Sequence, residues 1–177
     1  QGDAKYLAGL GKKNGYEVQK FSPILQEELT ISSSHVRDSL LCGRVRDAHQ
    51  LLGRPYALRG SVIHGDGRGR KINIPTANIQ TNAEKAIPLK GVYACYVYAR
   101  GQKYRALTNI GIRPTFTPDK IEANIETHIL NFDQDLYDQE IKVEFISRLR
   151  DEVKFNSVDE LLAQISLDIE KAKEVLA

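Results

Sequence analysis

Polar and apolar positions repeat with two different periods along this chain, and the change falls near residue 56. Before it the spacing is helical. Tyr6, Leu7 and Leu10 form a stripe within residues 3–15, with Asp3 placed to cap the start and Gly15 to stop the end. Residues 16–21, YEVQKF, read as a strand. In SSSHVRDSLLCG, serines precede the apolar pair Val36 and Leu40, and Gly43 ends the run. VRDAHQLLGRP gives a further short helix stopping at Gly53 before Pro55. Helix, strand, helix, helix reads as the tail of an α/β unit, and about fifty residues of that kind are too few to close a core alone.

From Tyr56 the period becomes two. YALRGSVIH is a strand, and residues 92–99, VYACYVYA, are another that turns at Arg100-Gly101. KYRALTNI, IEANIETHIL and IKVEFI follow. Short strands separated by turns rich in Gly and Pro predict a small antiparallel barrel. Within IEANIETHIL, alternation puts Ile125, Thr127 and Ile129 on one face and Asn124, Glu126 and His128 on the other. The chain closes with a helix: Ser157 and Glu160 form a capping box, and Leu161, Ile165, Ile169, Ala172 and Leu176 mark one face.

Composition narrows the function classes. The chain is 41% hydrophobic and 27% charged, enough for an ordinary packed core. No apolar run approaches the ~20 residues of a membrane-spanning helix. A net charge of +2 is too small to argue for nucleic acid. Cys42 and Cys95 form no CxxC pair, which predicts reduced thiols in a cytoplasmic protein. No signal peptide opens the chain, and Met is absent throughout, so the chain is expected to have been processed or cut from a longer one.

The candidate chemistry sits in GDGRGRKINIPTAN, residues 65–78. Gly65, Gly67 and Gly69 let backbone N–H groups approach an anion, and Arg68, Arg70 and Lys71 add positive charge beside them. A plain hairpin loop with solvated arginines has the same pattern. If Pro75 enters a strand, Thr76 and Asn78 share a face about 7 Å apart. Their hydroxyl and amide oxygens suit Mg²⁺ alongside phosphate, though Thr76 as a strand former and Asn78 as a turn residue would look alike. Glu126 on its strand offers either a general base toward an alcohol or an exposed carboxylate. A barrel binding RNA through its basic loop is the rival reading, but Tyr93 lies on the opposite face from Tyr96 and Tyr98, so the aromatics make no single stacking platform.

Taken together, LLGRPYALRGSVIHGDGRGRKINIPTANI, KGVYACYV, TNIGIRPTF and IETHILNFDQDLYDQEIKVEFISRLRDEVKFNSVDELLAQI resemble the riboflavin kinase domain of the bacterial bifunctional riboflavin kinase/FMN adenylyltransferase family. The resemblance implies a mainly β fold: a six-stranded antiparallel Greek-key barrel with a C-terminal helix over residues 54–177. Residues 1–53 would be a remnant of the α/β adenylyltransferase domain, in which ISSSHVR matches a segment that helps bind ATP. The implied reaction moves the γ-phosphoryl of ATP to the 5′-hydroxyl of riboflavin, giving FMN. By similarity, Gly65, Gly67, Gly69, Arg70, Lys71 and Thr76 would contact the nucleotide phosphates. Thr76 and Asn78 would hold Mg²⁺, Glu126 would be the base, and Arg150 and Phe155 would contact the flavin. The adenylyltransferase HxGH-type signature is missing from this chain, so FAD synthesis is not expected of it. Two positions depart from the usual family pattern, where Gly is the common residue: Asn73 before PTAN and Asp138 after DLY.

Overall fold

A computed structural model describes residues 3–22, 25–26, 29–114 and 121–177. It divides into two compact units, residues up to Ile31 and Ser32–Ala177. In the first, α1 (Ala4–Asn14) starts at Asp3, whose carboxylate accepts from Lys5 N, and ends at Gly15 in the left-handed conformation. Strands β1 (Leu25–Gln26) and β2 (Leu29–Thr30) pair with each other. Residues 16–21 are not a strand, against the sequence expectation. Strand formation needs a hydrogen-bonded neighbour, and among the described residues none pairs with this stretch.

The second unit begins with α2 (Ser33–Leu41), capped by Ser32, and α3 (Val45–Leu52), which stops at left-handed Gly53. Leu40, Val45 and Ala48 belong to the same buried cluster as the barrel interior, so these two helices pack with the residues that follow them.

Six strands then close on themselves: β3 (Tyr56–Ile63), β4 (Ala77–Thr81), β5 (Gly91–Ala99), β6 (Gln102–Pro114), β7 (Ile121–Ile129) and β8 (Glu140–Arg150). Their order is β3-β4-β7-β6-β5-β8, every pair antiparallel. Closure leaves the barrel itself without an edge strand among the described residues. Alternation fills the inside with Leu58, Val62, Ile79, Val97, Ile110, Ile125, Val143 and Phe145. Tyr93 meets Phe145 edge-on at 5.4 Å between ring centroids. Thr127 is the polar exception expected on that face; its hydroxyl bonds that of Thr108 at 3.0 Å, so neither is left unpaired in the core.

One outer face is also dry. Helix α5 (Val158–Val175) lays Ile169, Ala172, Val175 and Leu176 against Val92, Ala94, Leu107, Ile146 and Leu149 of the barrel wall. Ser157 caps it by accepting from Glu160 N, while Glu160 reaches back to Asn156 N rather than to the capping residue itself. No helix among the described residues is long and apolar enough to cross a membrane.

Candidate active site

The site grows from a single row of side chains across the outside of the barrel. Pairing sets Asn78 of β4 opposite Glu126 of β7, Glu126 opposite Asn109 of β6, Asn109 opposite Val92 of β5, and Val92 opposite Arg150 of β8. Directly paired side chains stand about 5 Å apart on one face. Residues scattered between positions 78 and 150 therefore share one strip of surface.

The glycine-rich segment folds over one end of this strip. It is no loose hairpin: a one-turn helix, α4 (Arg68–Lys71), follows Gly67, and the amides of Ile72 and Ile74 both donate to Gly69 O. Of the three glycines expected to supply conformational freedom, only Gly67 has positive φ. Gly65 and Gly69 are demanded by space. A Cβ at Gly65 would stand 2.1 Å from Asn78 Nδ2, and one at Gly69 would stand 2.3 Å from Ile74 O. The loop backbone is thus pressed onto Asn78 and beside Thr76. His128 fixes the other side of the turn, its Nδ1 donating to Pro75 O at 2.8 Å.

Three cavities meet here, and Thr76 lines all of them. The first, about 490 Å³, is polar, bounded by Asp66, Gly67, Arg68, Asn78, Asn124 and Glu126. The second, about 510 Å³, runs under α5; Val92, Leu107, Phe155, Leu161 and Ile165 supply apolar wall, and Arg150 and Glu126 lie in it as well. The third, about 470 Å³, opens toward residues 132–137 with Phe132 and Tyr137, and takes in Arg70 and Asn73. Glu126 and Thr76 stand on the wall between the polar and the apolar cavity. The structure thus brings Gly67, Gly69, Thr76, Asn78 and Glu126 together in the polar cavity, with Gly65 against Asn78. Arg150 and Phe155 join Glu126 in the apolar one. Lys71 lies exposed on α4 and borders none of the three.

Several polar contacts were not foreseen. Arg150 is held by Asp168 of α5, with Nε to Oδ2 at 2.9 Å and a further nitrogen to Oδ2 at 2.8 Å, and Gln164 donates to the same carboxylate. Asp168 is only 1% exposed. The sequence did carry a signal for this: an acid interrupting the stripe between Ile165 and Ala172. Asn109 donates to Glu152, and Asn124 to Glu126 Oε1 at 2.7 Å. At the base of the segment leading to α5, Arg148 hydrogen-bonds Asp151 and holds its carboxyl below the usual range. Asn73 and Asp138 both adopt left-handed backbone, φ 59° and 60°, the conformation that the expected glycines would take without strain. Thr115 and Phe116 of the RPTF run lie outside the described residues.

Residues 52–176 match the Flavokinase family, described as riboflavin kinase. The bifunctional riboflavin kinase/FMN adenylyltransferase of Bacillus subtilis (strain 168) is 41% identical over 163 residues, covering 92% of this chain and 51% of that protein. The protein of the same name from Escherichia coli (strain K12) is 38% identical over 175 residues, 98% of this chain and 55% of the relative. The chain thus spans about half the length of the curated relatives it matches. Among solved structures, one described as a macrolide-efflux protein from Streptococcus pneumoniae aligns with a TM-score of 0.84 at 39% identity, over 97% of this chain and 55% of that one. A riboflavin kinase from Trypanosoma brucei shares the fold with a TM-score of 0.50 at 24% identity, over 69% of this chain and 80% of that one.

Proposed function

Because the chain belongs to the riboflavin kinase family, we propose that it transfers the γ-phosphoryl group of ATP to the 5′-hydroxyl of riboflavin, giving FMN and ADP. The observation that carries this reading is the position of Glu126 on the wall between a polar and an apolar cavity. A flavin ring fits the apolar side, against Val92, Leu107, Phe155 and Leu161, with Arg150 as its polar contact. Its ribityl chain then runs toward Glu126. The carboxylate accepts the hydroxyl proton as the new O–P bond forms and the bond to ADP breaks.

The nucleotide comes from the other side. Its phosphates lie under Gly65, Gly67 and Gly69 in the polar cavity, and its nucleoside enters the cavity lined by Phe132 and Tyr137, where Arg70 also sits. Thr76, common to all three cavities, is where acceptor and donor meet. The same residues fit a magnesium ion. Thr76 and Asn78 present a hydroxyl and an amide oxygen, and the described residues hold no group of three His, Cys, Asp or Glu that would suit a softer or fully protein-caged metal. When bound, the ion offsets charge on the phosphates. Lys71, exposed on α4 and outside all three cavities, assists only through long-range attraction.

In the full-length protein we place this kinase beside an FMN adenylyltransferase domain, as the relatives' names describe, with residues 1–53 the end of that domain, although α2 and α3 within them pack with the barrel core. We also place it in the cytoplasm, where its two free thiols fit a reducing compartment. Incubation with riboflavin, ATP and Mg²⁺, followed by chromatography of the flavins, tests the reading: FMN without FAD is expected. Glu126→Gln should lower kcat by ~10²–10⁴-fold with ATP binding retained. Parental turnover in that variant would remove Glu126 from the reaction.

A further inference from the structure

Resting on that reading, we infer that Asn124 is the residue that positions the base. Asn124 and Glu126 lie two apart on β7 and so point to the same outer face. Asn124 Nδ2 donates to Glu126 Oε1 at 2.7 Å, a short, charge-assisted bond. One carboxylate oxygen is therefore fixed, and the other is left to meet the acceptor hydroxyl. Asn109, directly opposite Glu126 on β6, turns its amide instead to Glu152, at 3.1 Å.

The surroundings favour an amide at position 124 over other polar groups. Gly111 is its cross-strand partner and brings no side chain of its own; the Glu152 carboxylate lies over Gly111, and Asn124 lines the polar cavity. Asp66 and Glu126 already face that cavity, and a third carboxylate would repel the triphosphate. A hydroxyl on the shorter serine side chain would fall short of Glu126 Oε1. Asparagine supplies reach and a donor without charge. Its hydrogen bond to Glu126 is the path by which it acts on turnover, and the KM values separate that path from direct contact with phosphate in the cavity it lines.

A double-mutant cycle separates positioning from a structural role. Asn124→Ala should reduce kcat by ~10–100-fold, the usual cost of removing a partner that orients a functional group. KM for riboflavin and for ATP should stay within about twofold, and Asn124→Gln should recover part of kcat. In Glu126→Gln the loss from Asn124→Ala should vanish, since the two act as a unit. Additive losses, or parental kcat in Asn124→Ala alongside a collapsed Glu126→Gln, would overturn the inference and leave the kinase reading intact. Parental turnover in Glu126→Gln would overturn both.

Discussion

Gly65→Ala offers a sharp test of the loop geometry, because the structure predicts different damage to function and to stability. A Cβ at this position meets Asn78 Nδ2 at 2.1 Å, Cγ at 2.5 Å and Oδ1 at 2.8 Å, all atoms at the far end of one side chain. Ordinary contact begins near 3.4 Å, so the Asn78 amide must move by over ~1 Å, and misplacing a positioned group by that much costs up to ~10²-fold, about 2.7 kcal/mol. The fold loses less. A half-buried Asn can rotate aside for ~0.5–1.5 kcal/mol, a fall in Tm of a few degrees. Gly69→Ala is the control: its Cβ lies 2.3 Å from Ile74 O, which is backbone and cannot rotate away. That variant should lose stability at the ~1–3 kcal/mol level of an overpacked site. The assay is FMN formation against MgATP and Mg²⁺ concentration, with thermal melts of both variants. Parental KM for MgATP in Gly65→Ala, or a melt as depressed as that of Gly69→Ala, would refute the argument that the loop bears on Asn78.

Three further outcomes are expected. Asp168→Asn, which removes one charge from a buried pair, should cost ~3 kcal/mol in denaturant unfolding and raise KM for riboflavin as Arg150 loses its hold; an unchanged midpoint would show that Gln164 and solvent suffice. Asn73→Ala and Asp138→Ala should each destabilise by ~1 kcal/mol, since an ordinary side chain resists positive φ, while the Gly variants should melt no lower than the parent. Burial pushes the Cys95 thiol up to about 12 from 9.0, so the unfolded chain gives up its proton first and stability falls as pH rises from about 9 toward 12. Tyr56 and Tyr93, raised by burial too, steepen that fall, and Cys95→Ala should make it shallower; Ellman's reagent at pH 8 should titrate Cys42 in the native protein and Cys95 only after unfolding.

Alternation in IEANIETHIL assigns Ile125 and Ile129 to the interior and Glu126 to the exterior, because successive side chains on a strand must point to opposite faces. Asp3, Ser32 and Ser157 cap helices where expected, since a cap is an interaction within three residues. The same local reasoning failed at residues 16–21, where a strand-like pattern met no partner. It also gave the wrong reason for Gly65 and Gly69, whose neighbours Asn78 and Ile74 are defined by how the loop lies rather than by its composition.

The order of residues alone carries the change of period at residue 56, the two faces of the IEANIETHIL strand, the caps, and the residue types from which a phosphoryl-transfer site can be made. Only the tertiary structure decided that Asn78, Glu126, Asn109, Val92 and Arg150 form one row, that Asp168 reaches back to Arg150, and that Asn124 rather than Asn109 holds Glu126. A face is fixed by backbone geometry two residues at a time. A neighbour across the sheet is fixed by which strands pair and in what register, and that choice belongs to closing the barrel around a common core.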